Sequence, residues 1–426
     1  MGILIEIGSF IKLQRTKQEM TLGELSEGIV SVSYLSKIEN QKTQASPEII
    51  QLLCNRLGIE VDNSQEEAIK ETCKQWYSML FEVNNKEEII ATYKKIQEMM
   101  DRNLSDSLMM FEIHKVRYYL ILGEYDEALK KINELNEVSS TFDNLQQFYW
   151  YKFRGNYSTL KDSEYYQSMR MYKMAEEKIN QIDVSEEEVA DLNYIIAVTQ
   201  SKLRNTLETI EYANKALNVF MKQYNFIRCA QCHNVLGISY RRIKLYDKAI
   251  KNFNLALHLG KLNKNRQLIQ LTNQNLGYLY SSKGEPVEAI KYYKEIIFDT
   301  EVSLVERLAS VSSLVREYYN IEDYEEAKKS IKYGLELIDQ FNDIKPYKIF
   351  YYVIHTYNYL LSERFTDFEN MVVKNFIPYL KKHKDYASII IYAELIAKYY
   401  EQLYKYKDAA KYYKEANFAY EQITNI

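Results

Sequence analysis

The sequence predicts an all-α protein: a small N-terminal helical module followed by a long array of helix pairs. Three observations predict it. Only 4 Pro and 12 Gly occur in 426 residues, so helix breakers are scarce where Leu, Ile, Lys, Glu and Tyr abound. Several segments place a capping residue directly ahead of an amphipathic stripe. Beyond the first sixty or so residues a short motif returns at near-constant spacing, the signature of a repeat architecture. The length also exceeds what a single core fills, which fits an array better than one globule.

The elements follow in order. Residues 8–17 form a first helix, with Phe10, Ile11 and Leu13 inward and Lys12, Arg15 and Lys17 on the solvent side. Residues 21–41, TLGELSEGIVSVSYLSKIENQ, read as two short helices around a tight turn. Thr21 caps the first, and Glu24 completes a capping box. Leu22, Leu25 and Ile29 give it an apolar face. Gly28 to Ser31 supplies the turn, and Ser31 caps a second helix whose inner face is Leu35 and Ile38. Val32, Ser33, Ser36 and Lys37 are left outward, with Glu39 and Asn40 assigned to capping and loop hydrogen bonds. Ser46-Pro47-Glu48 opens a fourth helix, with Ser at the cap and Pro in the first turn. Its buried face is Ile49, Ile50, Leu52, Leu53 and Leu57, and Gly58 stops it. Ordinary helical packing would explain two short amphipathic helices as well. The stretch YLSKIEN, however, resembles the recognition helix of XRE-type helix-turn-helix repressors.

That resemblance implies a DNA-binding domain over residues 1–62, with the second helix of the pair in the major groove. Ser31, Ser33 and Lys37, with Val32 beside them, are then the expected base readers, and Arg15 and Lys42 the expected phosphate contacts. Leu22 departs from the Gln that many XRE modules carry there to fix the recognition helix on the DNA backbone. Five cations (Lys12, Arg15, Lys17, Lys37, Lys42) face four anions (Glu19, Glu24, Glu27, Glu39) between Lys12 and Lys42. One module is thus a weak electrostatic binder, and two copies on a two-fold axis are expected.

Asp62-Asn63-Ser64 reads as a polar hinge, and residues 63–75 as a linker and the start of the first repeat helix. The repeats follow. GEYDEALKKI begins at Gly123, LYDKAIKNF at Leu245, GEPVEAIKYY at Gly284, EDYEEAKKSI at Glu322 and YKDAAKYYKEA at Tyr406. The small residue after each turn falls at Ala128, Ala249, Ala289, Ala327 and Ala409, and weaker copies place Ile89, Ser168, Thr209 and Phe368 in the same slot. In chain order the steps are 39, 40, 41, 40, 40, 38, 41 and 41 residues. The motif resembles the tetratricopeptide repeat, in which a Gly ends the first helix of each pair and an Ala lets the second pack closely on it. Gly237 and Gly277 fit the small position inside the first helix. The resemblance implies a right-handed superhelical solenoid of about nine helix pairs over residues 76–426, with a concave groove lined by first helices.

One polar column stands out. Asn193, Asn234 and Asn275 are 41 and 41 residues apart, each on an expected first helix. Asn disfavours a helix interior unless its amide has a partner, and an amide can pair with both N–H and C=O of an extended peptide. Gln200 and Gln231 lie one or two turns away as companions. The alternative is that these Asn satisfy one another or structural water.

Other classes are excluded on composition. A net charge of −4 gives no global basic field. No apolar run approaches the roughly 20 residues a membrane span needs, which predicts a cytoplasmic protein. Cys229-Ala-Gln-Cys232, followed by His233, lacks a second pair at zinc spacing and reads as core, so no metal or cofactor is expected. Five scattered His residues and no nucleophile elbow or phosphate loop argue against an enzyme.

The pairing of an XRE-type module with long-period tetratricopeptide repeats resembles the RRNPP family of peptide-sensing quorum regulators, over essentially the whole chain. Length and repeat number fit its NprR type. The resemblance implies that a short re-imported signalling peptide binds the groove, partly through first-helix asparagines. Binding changes the oligomeric state, a homodimer or higher homo-oligomer, and so the affinity for a double-stranded DNA operator. A response-regulator protein is a further partner the family implies. The alternative is a Rap-like scaffold that sequesters a response regulator, with DNA binding secondary or lost.

Overall fold

The computed structural model describes residues 7–59, 66–81, 85–100, 107–161, 164–299 and 301–424. The expected hinge Asp62-Asn63-Ser64 lies outside them, and with it the boundary at residue 62. Among the described residues every regular element is a helix, and none is long and apolar enough to cross a membrane. The chain divides into two compact units, Met1–Leu203 and Arg204–Ile426.

The first unit opens with α1 (Ile7–Lys17), α2 (Leu22–Ser26), α3 (Val32–Glu39) and α4 (Pro47–Arg56). The caps are those the sequence indicates. Thr21 and Glu24 form a full capping box on α2, and Ser31 and Ser46 accept from the third backbone N–H of α3 and α4. Leu25, Leu35, Ile38, Ile50 and Leu53 are buried with Phe10 and Ile11 of α1. Leu52, expected in that core, is half exposed, because the inner face of α4 runs through Ile50, Leu53 and Cys54. The unit continues with α5 (Glu66–Phe81), α6 (Lys86–Met100), α7 (Leu108–Leu122), α8 (Tyr125–Asn136), α9 (Asn144–Lys161), α10 (Tyr165–Glu176) and α11 (Glu186–Lys202). A 3-10 turn, Ser139–Thr141, joins α8 to α9.

The second unit holds α12 (Thr206–Lys222), α13 (Phe226–Arg242), α14 (Tyr246–Leu262), α15 (Arg266–Ser282), α16 (Pro286–Ile297), α17 (Leu304–Asn320), α18 (Tyr324–Ile338), α19 (Lys348–Leu361), α20 (Phe365–Asn370), α21 (Ile377–Lys382), α22 (Tyr386–Gln402) and α23 (Tyr406–Thr424). Between α20 and α21 the helix widens into a π turn, Met371–Phe376. Pro378 follows directly; its ring crowds the carbonyl four residues back, and a wider turn relieves that contact.

The repeat slot explains the packing. All nine slot residues, from Ile89 to Ala409, are at most 2 % exposed, and each is the fourth residue of its helix. Four residues later an aromatic ring reaches the preceding helix where that helix carries Gly. A Cβ on Gly237 would lie 2.5 Å from the ring of Phe253, and one on Gly277 2.5 Å from that of Tyr293. Gly155 faces Tyr172 in the same way, a third copy the sequence reading did not single out. The turn that ends each first helix departs from expectation. Gly fills its left-handed position at Gly123 and Gly284, but Arg204, Lys244, Glu322, Glu363 and Tyr404 take positive φ elsewhere. The helix-ending hydrogen bonds hold these residues there against the usual preference of L-residues. Cys229 and Cys232 are both buried in α13.

Candidate functional site

The recognition helix α3 presents Val32, Ser33 and Lys37 to solvent, and Lys42 follows on the exit loop, also exposed. The Ser31 oxygen is committed to capping, accepting from the Tyr34 N–H at 3.2 Å, which leaves its hydroxyl proton for an outside acceptor. The Tyr34 hydroxyl donates to Gln44 O at 3.3 Å and steadies the loop after the helix.

Arg15 is placed differently from expectation. Its Nε and Nη2 donate to the two oxygens of Glu39 at 2.7 and 2.9 Å, and its Nη1 to Met20 O at 2.7 Å. This buried fork-to-fork pair ties α1 to the end of α3 and takes Arg15 out of the phosphate contacts. It also gives Glu39 an ion-pair role in place of the expected capping. Arg56 donates to Leu25 O at 3.1 Å and to Glu27 O, closing the carboxyl end of α2. Lys12 reaches Glu137 O at 2.9 Å and Lys17 reaches Glu112 at 3.2 Å. Of the six cations between residues 7 and 59, four are committed to protein acceptors, Lys17 and Arg56 among them while still exposed, and Lys37 and Lys42 face out.

The helix α1 thus serves two bodies of the first unit. Phe10 and Ile11 pack into the core of α2–α4, whereas Leu13 belongs to the core of α7–α9 with Met109, Ile113 and Trp150. Beside it lies a buried ion cluster. Glu112 receives Lys115 and Lys131 at 2.7 Å each besides Lys17, and Lys131 also meets Glu134 at 2.6 Å. Burial opposes ionisation of Glu112, but Lys115, Lys131 and Lys17 together outweigh it and hold the carboxyl well below its usual range.

The asparagine column resolves into separate environments. Asn193 sits half-buried on α11 in the first unit. In the second unit Asn234 is 3 % exposed and donates to Thr272 Oγ1 at 2.9 Å, while half-buried Asn275 donates to Asn234 Oδ1 at 3.4 Å. Asn275 is therefore the more exposed of this pair, and Asn234 orients it. Of the companions, Gln200 is buried, and Gln231 accepts from Arg228 on its own helix at 3.0 Å. Lys152 on α9 stands 41 residues before Asn193, in step with the column. It is buried between Glu188 at 2.6 Å and Asp191 at 2.9 Å.

The second unit also contains a groove of about 440 Å³ walled by α15, α17, α19 and α22 alone, all of them first helices. Tyr278 and Ser282 on this wall lie one and two turns beyond Asn275 on α15, so the i+3, i+7 rule would have pointed to them. Arg241 of α13 stacks over the Tyr278 ring at 4.2 Å. Deeper in, Arg316 and Ser281 converge on buried Glu317, with Ser281 Oγ at 2.7 Å from its Oε1. Burial opposes the Arg316 charge, yet Glu317 and the surrounding phenols raise its affinity for the proton. Glu394 and Lys398 complete the far wall. Charged heads, ring faces and hydroxyls on one open wall suit an extended peptide carrying both polar and apolar side chains.

The helix-turn-helix family model matches residues 11–63, taking in most of α1 and all of α2–α4. The transcriptional activator NprA of Geobacillus stearothermophilus is 34 % identical over 409 residues, covering 94 % of this chain and 100 % of NprA. The chain belongs to the RRNPP family of peptide-sensing regulators. Two solved structures share the fold of this RRNPP regulator. The apo form of the quorum sensor NprR from B. thuringiensis aligns with a TM-score of 0.71 at 18 % identity, covering 83 % of this chain and 99 % of that one. NprR in complex with its cognate peptide NprX aligns at 0.59 and 20 % identity, covering 82 % and 97 %.

Proposed function

We propose that this chain is a transcription regulator whose repeat groove binds a short signalling peptide, and that binding changes its oligomeric state and its hold on an operator. The observation that carries the reading is the joining, in one chain, of an outward recognition helix and a ligand-sized groove walled only by first helices. The likeness to NprR solved with a peptide supports a peptide as the ligand. The domain division is residues 1–62 for DNA, 63–75 as linker and first-helix start, and 76–426 for peptide and self-association. Ser31, Val32, Ser33, Lys37 and Lys42 meet DNA; Asn275 meets the peptide backbone, oriented by Asn234. No catalytic step is assigned.

Light scattering tests it. The purified protein is titrated with the mature form of a short peptide encoded just downstream of its gene, and molar mass is followed. A saturable change of mass supports the reading. No change, together with no thermal stabilisation, overturns it in favour of a scaffold that sequesters a protein partner. Asn275→Ala is expected to weaken peptide binding about tenfold, the loss of one or two neutral hydrogen bonds.

The charge inventory gives a second expectation. Two outward lysines per module, Lys42 at the phosphates and Lys37 in the groove, bring four counterion-releasing contacts for a two-fold pair, so log affinity should fall against log salt with a slope of roughly −3.6. Lys37→Ala removes one contact per copy and should flatten that slope by about 1.8. Fluorescence anisotropy across a potassium chloride series reads both.

A further inference from the structure

A continuous hydrogen-bond chain runs from the end of the recognition helix into the repeats. Gln41, directly after α3, donates from Nε2 to Ser9 Oγ at 2.7 Å. Ser9 Oγ, on α1, donates to Thr141 Oγ1 at 2.6 Å. Thr141 Oγ1 donates to Val138 O at 2.7 Å, closing the chain on the backbone of the 3-10 turn after α8. Each hydroxyl accepts once and donates once, so both protons are committed and the chain points in one direction. Ser9 is 2 % exposed and Val138 is fully buried, so water offers poor replacement for a lost link. The contact spans 132 residues of sequence between Ser9 and Thr141.

The chain is flanked on both sides. Lys12 to Glu137 O and Leu13 in the α7–α9 core fix α1 against the repeats. One turn before Lys12 on α1, Gly8 lies directly on the backbone of Ile38 near the end of α3. The recognition helix therefore takes its position from α1, and α1 takes its position from the turn that carries Thr141.

We infer that Thr141 is a positioning residue for DNA recognition: it holds the recognition helix in register from within the repeat domain, through Ser9 and Gln41, without touching DNA itself. The inference rests on the reading of α3 as a DNA-binding helix. It adds a defined route by which a shift of the α8–α9 connection would move that helix.

The test uses the full-length protein and a duplex that the wild type enriches from a random 30-base-pair library. Thr141→Val keeps the shape and removes both hydrogen bonds; Thr141→Ser keeps them. Thr141→Val is expected to weaken binding to the selected duplex about tenfold or more, and Thr141→Ser to restore it. Duplexes whose half-sites are moved apart or together by one base pair should be rejected by the wild type and Thr141→Ser but tolerated by Thr141→Val. A merely structural role would not move that spacing preference. Ser9→Ala combined with Thr141→Val should lose no more than either alone, because both break one chain. Wild-type affinity and spacing preference in Thr141→Val would overturn the inference while leaving the proposed function standing. A library from which the wild type enriches nothing would overturn both.

Discussion

Gly8→Ala is expected to abolish operator binding while leaving peptide binding in place. A Cβ on Gly8 would overlap Ile38 O and come within 2.9 Å of Ile38 C, both main-chain atoms near the end of α3. A side chain could swing away from such an intrusion; a helical backbone cannot. Overfilling a packed site typically costs about 1–3 kcal/mol, and a main-chain obstacle puts this change at or beyond the upper end. The only relief is for α1 to lift off α3, which strips Phe10 and Ile11 from Leu35 and Ile38. Operator affinity should fall more than about a hundredfold, the equivalent of some 2.7 kcal/mol. Gly23→Ala is the control. Its Cβ would find nothing nearer than Thr21 Oγ1 at 3.8 Å, and Ala suits a helix better than Gly by about 1 kcal/mol. Anisotropy on DNA and calorimetry with peptide, run on both variants, separate the two outcomes.

Glu112→Gln should be the most damaging single change among the charged residues of the first unit. Breaking a buried ion pair from one side leaves the other charge without compensation, typically at a cost of about 3–5 kcal/mol. Here one carboxylate serves Lys17, Lys115 and Lys131. Lys131 keeps Glu134, but Lys115 is left with the ring faces of Phe111 and Tyr93. Urea unfolding at neutral pH should show a loss of about 3 kcal/mol. The exposed pair Lys161–Asp126, at 3.8 Å, is the contrast, and Asp126→Asn should change little. The pH dependence has a definite sign. Because the folded carboxyl is held below its ordinary 4.5, its stabilisation is present above about pH 4.5 and is lost as pH falls through the folded value. Glu112→Gln should therefore flatten the acid limb of the stability curve.

The repeats were legible because their constraint is local. A buried slot three residues into each second helix admits few side chains, and chain order alone locates it from Ile89 to Ala409. The caps at Thr21, Ser31 and Ser46 were legible for the same reason. What could not be read is where long side chains go. Arg15 looks like any solvent-facing cation until Glu39, 24 residues on, is folded against it. Lys12 and Lys17 find partners 125 and 95 residues away. The groove was not legible: Asn234 and Asn275, which the spacing picks out, are not among the residues that line it, and Arg316, Glu394 and Lys398 share no residue type or period. They meet only because the first helices that carry them line one wall.

The commitment of four cations to acceptors of the protein itself bears on how such a protein would share a cell with its chromosome. Affinity for arbitrary sequence is mostly a matter of phosphate neutralisation, and two lysines per module supply little of it. A bacterial genome offers millions of competing sites, enough to soak up a strongly basic module almost completely. A module this sparing in outward charge stays mostly unbound between operators. The pool that a peptide encounters is then free protein, and occupancy of the operator can follow peptide concentration without first draining a reservoir spread along the DNA.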